Sequence, residues 1–288
     1  MIGWRHGAGA IGGIIISLAI AFGPTLARLA RPALETLAPG DASDPAPCRV
    51  QYPGNVQPAY VHKGLDRRTT TICYHAYSIG YSGLTRTPLW SAERLTADTV
   101  DHARDLARVD QFHPDDHLPG RDRSTLDDYR RSGFDRGHMT PSGDMPTPKA
   151  QAESFSLANI VPQTPELNRH LWSDIEHDVR QLARSHTAIF VVTGPVFTGS
   201  QLDSLGGRVA VPTSTYKAVY IPGAGAGAYL ATNTHNPRLT ITSIARLTAT
   251  TGIDPFPGVD QASKDRTIHL PRPRSRSSRG HHATSTQQ

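Results

Sequence analysis

Between residues 71 and 251 short apolar runs alternate with turn-forming residues, and one longer segment breaks that rhythm. Leu167, Leu171, Ile175, Val179 and Leu182 recur at spacings of four, four, four and three, which marks one buried face of a helix. Thr164 supplies an N-cap for it, Pro165 its first helical position and Glu166 an acid in the first turn, a start signal consistent with the dipole and the orphan N–H groups of a helix end. The runs around this helix read as strands. Residues 71–82, rich in aromatic and β-branched side chains, predict one strand, with residues 89–95 as its antiparallel partner across the Gly83–Pro88 turn,. Residues 157–161 predict a second short strand, and 188–193 a buried strand stopped by Gly194-Pro195. Residues 208–212 are expected to pair with 216–221, with a further strand at 229–233. Residues 242–251 predict a helix ended by Gly252, and a short helix is expected within 124–131, inside the otherwise polar loop 111–133. Strands outnumber helices and hairpin-type connections dominate. The expectation is an α+β fold, with a mostly antiparallel central sheet and flanking helices.

Composition changes little in that picture. At 288 residues, 37% hydrophobic and 19% charged, the chain has ample material for a core,. Its net charge of +5 is concentrated at the ends. The last eighteen residues carry Arg272, Arg274, Arg276 and Arg279 with no acid, and the first forty carry three arginines against one glutamate. The body is left near neutral, so affinity for nucleic acid has to come from a local cationic groove. Residues 271–288, dominated by Pro, Ser, Arg and Gln, read as a disordered basic tail,.

The N-terminus adds a compartment. Arg5 precedes an uncharged run from Gly7 to Ala27 with Ile14-Ile15-Ile16 at its centre, the charge-then-apolar order of an export signal. The 21-residue run is also just long enough to span a bilayer as a helix,. Residues 1–37 are therefore expected to be a signal peptide or a membrane anchor, with membrane contact through 7–27, followed by a linker at 38–47 and a globular domain at 48–270. The expected location is periplasmic or extracellular. Cys48 and Cys73, the two cysteines of the chain, are expected to form a disulfide in that oxidising setting.

The chemistry-bearing residues lie between 134 and 176. Phe134-Asp135-Arg136-Gly137-His138-Met139 is followed by Asn159-Ile160-Val161-Pro162-Gln163 and Leu167-Asn168. A histidine can take a proton from water near neutral pH. An arginine can clamp phosphate with a planar fork of donors, and an asparagine can offer a hard oxygen to magnesium. On a strand, Arg136 shares the face of His138 while Asp135 points the other way, as a structural partner. On an ideal helix Asn168 and Glu176 stand about 80° apart and about 12 Å along the axis. That offset suits a metal ligand at Asn168 and a water-holding carboxylate at Glu176. It equally suits an asparagine that satisfies local backbone groups and a solvated glutamate.

These residues in this order, with Trp172 and Glu176, resemble the DNA/RNA non-specific endonuclease family, which carries a ββα-metal active-site unit. Pro88-Leu89-Trp90-Ser91-Ala92, Val192-Thr193-Gly194-Pro195 and Tyr216-Lys217-Ala218-Val219 also resemble family segments, so the likeness covers about residues 48–260. The resemblance implies a Mg2+-dependent endonuclease, with Mn2+ as a substitute, cutting DNA and RNA with little sequence preference. It implies His138 as general base, Asn168 as direct metal ligand, Glu176 as the residue orienting metal-bound water, and Arg136 on the phosphate. Arg108 matches a second phosphate-side arginine, and Asn159 and Gln163 are implied to buttress the site through hydrogen bonds. No obligate protein partner is implied. Three rivals are kept: a same-superfamily phosphodiesterase acting on nucleotides or other small diesters, an exported nucleic-acid-binding module without activity, and a zinc hydrolase using His113, His117 and His138. Nutrient scavenging, DNA uptake and defence against foreign DNA all suit an exported nuclease.

Overall fold

A computed structural model describes residues 46–273. The N-terminal apolar segment, most of the 38–47 linker and nearly all of the basic tail lie outside the described residues. Among the described residues no helix is long and apolar enough to cross a membrane.

Seven strands form one antiparallel sheet: β1 (Thr69–Cys73), β2 (Tyr77–Ser82), β3 (Thr87–Leu95), β6 (Ile189–Val196), β7 (Ser214–Ile221), β8 (Gly225–Thr232) and β9 (Leu239–Thr242), in spatial order β9-β8-β7-β6-β3-β2-β1. The sheet is thus two meanders zipped together along β3 and β6. Everything between those strands is inserted on one side: helix α1 (Ala97–Arg104), α2 (Leu126–Tyr129), a short hairpin β4 (Asp135–His138) and β5 (Ile160–Gln163) with α3 (Pro148–Ser154) in its connection, and the long helix ending in α4 (Ser173–Ser185). Helix α5 (Ile244–Thr251) follows β9, and Gly252, with φ 71°, closes it in the left-handed region that glycine adopts without strain,.

Strand alternation assigns the two faces. Trp90, Ala92, Val192, Tyr216 and Ala218 pack with Cys48, Tyr52, Ile244 and Leu247 on one side. Leu95, Val191, Val219 and Tyr229 pack with Leu167, Trp172, Ile175 and Val179 of the long helix on the other. Each fully buried large side chain in these layers stabilises the fold by roughly 1.5–3 kcal/mol. Cys48 and Cys73 are bonded to each other, with Cα atoms 5.7 Å apart.

Several expected elements are redrawn. The strand expected at 71–82 is a hairpin, β1 and β2, which reverses where Tyr74 N donates to Tyr77 O at 2.9 Å. Glu153 holds that reversal from outside, accepting from His75 N at 2.9 Å. Strand β6 does not stop at Gly194-Pro195 but continues to Val196. Val196 O accepts from Thr213 N, so alternation turns Pro195 toward β3, beyond the last β3–β6 pair, Ser91 with Thr193, where its missing N–H breaks no ladder,. Residues 216–221 pair with β6 and β8 rather than with 208–212, which contribute Val209–Ala210 to a separate small ladder with Ser204–Leu205. The short strand expected at 157–161 begins at Ile160, after a 3-10 turn over Leu157–Asn159.

The helix expected after Thr164 is present, with one departure. Leu167 N donates to Thr164 Oγ1 at 3.3 Å, the capping bond, but residues 167–172 form a π-turn before α4. Its buried positions are Leu167, Trp172, Ile175, Val179 and Ala183, so the first spacing is five rather than four. Trp172 takes the fully buried place predicted for Leu171, which is partly buried.

Candidate active site

The site is built on the β4–β5 hairpin and the π-turn. Arg136 pairs with Pro162, Gly137 with Val161 and His138 with Ile160. Gly137 lets Gln163 pass beneath the strand: a Cβ there would lie 2.1 Å from Gln163 Oε1. Met139 N donates to Asn159 O at 2.9 Å. The Asn159 side chain accepts from Thr140 N at 3.0 Å and donates to Thr140 O at 2.8 Å and to Ser154 O at 3.0 Å. Asn159 therefore fixes the chain directly after His138 by hydrogen bonds. Gln163 fills the space under Gly137, and its Nε2 donates to Thr215 Oγ1 at 3.4 Å, a bond between the hairpin and β7.

His138 is 8% exposed. Its ring lies against Phe112 and Phe155, with centroids 5.3 and 5.1 Å away. The same two phenyl rings carry the candidate phosphate arginines: Arg136 sits over Phe112 at 4.2 Å and Arg108 over Phe155 at 5.2 Å. Two cation–π contacts thus hold both guanidinium groups beside the imidazole. Burial, with Arg108 and Arg136 nearby, pulls the His138 pKa down to about 3, since each of these disfavours a second positive charge. Its Nε2 is sealed from solvent and has no hydrogen-bond partner. Arg108 also donates to Ser142 Oγ at 2.9 Å and to Asp110 at 2.6 Å. Arg108, Arg136, Phe112 and Asn168 line one open cleft of about 810 Å³.

Asp135 faces away from His138 and holds the other half of the site. Its carboxylate accepts from Asn168 Nδ2 at 3.0 Å and from Arg169 Nε and Nη2 at 2.8 and 2.7 Å. Those partners outweigh burial and keep Asp135 below the usual carboxylate range. With Nδ2 engaged, the amide oxygen of Asn168 is left to face elsewhere. The π-turn then changes the relation of Asn168 to Glu176. It absorbs roughly one residue, so the two side chains come to about 20° of each other around the helix rather than about 80°.

Behind Glu176 lies a charged cluster that local sequence patterns did not reveal. Burial raises Glu176 to about 7, against the pull of Lys217 and Arg180, with Asp144 pushing in the same upward direction. Arg180 pairs with Asp144 at 3.0 Å. Glu93 is 1% exposed, neither of its oxygens has a hydrogen-bond partner, and burial drives its pKa well upward. Three carboxylates face two cations here. Arg180 had a readable signal, four residues beyond Glu176 on the same helical face. Lys217 had a fainter one, a lysine inside the apolar run 216–221; Glu93 and Asp144 had none. Asn233 was also missed. It orients the helix start by accepting from Thr164 N at 2.8 Å and donating to Pro162 O and Pro212 O.

The donor set suits a hard divalent cation: a free amide oxygen on Asn168, a recessed carboxylate at Glu176, and an excess of buried acid beside it. It does not suit the zinc rival. His117 is bound to Asp115 at 2.8 Å, and His113 lies against the carbonyls of Pro114 and Ala152. Among the described residues no three His, Cys, Asp or Glu side chains gather to share a metal.

Residues 57–262 match the family model described as DNA/RNA non-specific endonuclease. Nuclease C1 of Cunninghamella echinulata var. echinulata is 38% identical over 159 residues, which are 51% of this chain and 63% of that protein. Human mitochondrial endonuclease G is 34% identical over 161 residues, 52% of this chain and 54% of that protein. A nuclease of Nostoc sp. is 38% identical over 154 residues, with shares of 52% and 54%. The chain therefore spans between about half and just under two thirds of the length of these relatives. Among solved structures, one chain of the EndoG/EndoGI complex superimposes with a TM-score of 0.64 at 27% identity, covering 78% of this chain and 98% of that one.

Proposed function

The chain belongs to the DNA/RNA non-specific endonuclease family, and on that premise we propose that it hydrolyses phosphodiester bonds in DNA and RNA with Mg2+, or Mn2+ in its place, and with low sequence preference. One observation carries the reading. A neutral imidazole is wedged between two phenyl rings that also hold two arginines, and both arginines line a cleft reached by Asn168.

His138 is the general base. Because Nε2 is sealed, the proton taken from water goes to Nδ1. An imidazole whose pKa is about 3 when the site is empty is a weak base. An anionic diester beside Arg136 and Arg108 offsets the charges that depress it, which raises its proton affinity as substrate arrives. The two guanidinium groups stabilise the charge that gathers on the phosphate as water adds. Asp135 orients Asn168 so that its amide oxygen is presented for the cation, and Glu176 supplies a recessed carboxylate on the same helical face. Bound there, the cation supplies charge neutralisation for the phosphate and for the departing 3′ oxygen. No step requires the ribose 2′-OH, so DNA and RNA are both substrates. Contacts to phosphate carry little sequence information.

The cleft is open rather than closed around a small ligand, which favours a polymer over a nucleotide or another small diester. Charge-then-apolar order at the N-terminus and a Cys48–Cys73 disulfide favour an exported protein,. The test is incubation of the full chain with supercoiled plasmid and with RNA, in Mg2+, Mn2+ and EDTA. A chromogenic diester and the His138→Ala variant run alongside. Cleavage of both polymers with either metal, its loss in EDTA and its near-complete loss in the variant are expected. Cutting by His138→Ala at a near-normal rate sinks the assignment.

A further inference from the structure

The two halves of the site sit on different elements: His138 on a hairpin strand, Asn168 and Glu176 on the long helix. One buried side chain touches both. Lys217, 1% exposed, projects from β7 on the face that carries the inserted unit. Its Nζ donates to Met139 O, the peptide directly after His138, at 3.3 Å, and to Thr193 Oγ1 at 2.7 Å. The same ammonium lies 5.4 Å from the centroid of Trp172, which closes the π-turn between Asn168 and Glu176. Sheet register sharpens the arrangement. Ser91, Thr193 and Lys217 are direct neighbours across β3, β6 and β7. Ser91 Oγ bonds Thr140 Oγ1, so the row grips residues 139 and 140 at two successive points.

We propose that Lys217 is a positioning residue that sets the His138 strand against the Asn168–Glu176 helix and, through its charge, limits how tightly the site holds its cation. This rests on the nuclease reading above and adds a residue to it. Geometry supports the first half: a single ammonium is shared between the peptide after His138 and the indole of the π-turn. Position supports the second: the ammonium lies 5.4 Å from the centroid of Trp172, and Glu176 follows Trp172 by four residues, on the same side of the helix,. A cation entering beside Glu176 therefore meets a fixed positive neighbour.

The two roles predict opposite signs in two measurements, which a lysine that merely props up the core does not do. Replacing Lys217 by methionine keeps the length of the stem and removes the charge. Its removal leaves Arg180 as the cation opposing the buried Glu93, so the double variant Glu93→Gln/Lys217→Met is made as well, in case the single variant does not fold. Mn2+ binding to the full chain without substrate is followed by electron paramagnetic resonance, and kcat and KM are measured on plasmid with saturating metal. In a variant with a wild-type far-ultraviolet spectrum and a cooperative melt, Mn2+ is expected to bind about tenfold tighter where the ammonium alone is removed, and at least as tightly as to wild type where the Glu93 carboxyl is removed with it. At the same time kcat should fall by about 100-fold with KM nearly unchanged, as for loss of an orienting contact. Lys217→Arg, which keeps the charge, should retain wild-type Mn2+ affinity. Wild-type kcat in the folded variant, or a fall in kcat accompanied by weaker Mn2+ binding, overturns the proposal. The nuclease reading is judged separately in the same series. If the wild-type chain neither binds Mn2+ nor cuts plasmid, that reading fails, whatever Lys217 does.

Discussion

Asn168 donates from Nδ2 to Asp135 Oδ2 at 3.0 Å, and together with the two bonds from Arg169 this bond joins the outward face of the His138 strand to the π-turn. It fixes the amide so that nitrogen points at the carboxylate and oxygen does not. An asparagine free to rotate would present the wrong atom to a cation half the time. Asp135→Ala is therefore expected to weaken Mn2+ binding by about 10–100-fold, the usual effect of removing a partner that orients a ligand. The melting temperature should change only modestly, because the lost ion pair is with an exposed arginine,. A Mn2+ titration by calorimetry checks this, and unchanged affinity in Asp135→Ala would remove Asp135 from the site.

His138 predicts a pH dependence of stability with a definite sign. Its pKa is about 3 in the folded chain against an ordinary 6.5. As pH falls below about 6.5 the unfolded chain binds a proton that the folded chain refuses, so stability drops through that window. It drops by about 1.4 kcal/mol per pH unit for one such group and levels off near pH 3. His138→Gln has no such group. Urea unfolding at pH 7.5 and 4.5 should show the native chain losing about 2–3 kcal/mol more than the variant. Parallel losses would mean that His138 is not held neutral in the folded state.

Gly137 and Gln163 make a steric prediction. A methyl on Gly137 would lie 2.1 Å from Gln163 Oε1 and 2.4 Å from its Cδ. Gln163 is fully buried, so it has little room to withdraw. Gly137→Ala should destabilise the chain by about 1–3 kcal/mol, the usual range for overpacking. Adding Gln163→Ala should return part of that loss, because the second change removes the atoms the first one meets. Additive losses in denaturant unfolding would show that the strand has moved instead.

Much of this site was legible in the sequence because its polar residues are close along the chain. Arg136 and His138 share a strand face by period two, and both contact Phe112, while Asp135 turns away to Asn168 as that period requires. Thr164 and Pro165 announced the helix correctly. The π-turn was not legible, because Leu171 and Trp172 are both apolar and packing alone chooses between them. The β1–β2 reversal carries no glycine or proline between Cys73 and Tyr77, so no local signal split the apolar run. Glu93, Asp144 and Lys217 are separated by 51 and 73 residues in the chain. The sheet and the inserted unit gather them, and periodicity within one element does not report on that.

The Cys48–Cys73 bond gives the last prediction. Cys48 is fully buried beside Tyr52 and Trp90, before the first strand of the sheet, and Cys73 ends β1. The bond therefore ties the start of the domain to an edge strand that has a single sheet neighbour, β2. Opening a 25-residue loop should destabilise the fold by about 3 kcal/mol on the chain-entropy argument. The hairpin that carries His138 lies far along the chain and is held by Asn159, Lys217 and Ser91, so it does not depend on this link. Reduction with a phosphine is thus expected to lower the melting temperature by several degrees, while the rate of plasmid cleavage at 25 °C stays close to that of the oxidised chain. Differential scanning calorimetry and a cleavage assay on the same reduced sample separate the two effects. An unchanged melting temperature with thiols shown to be free would mean the bond contributes nothing to stability. A large loss of activity with the fold intact would mean that the edge strands are coupled to the site.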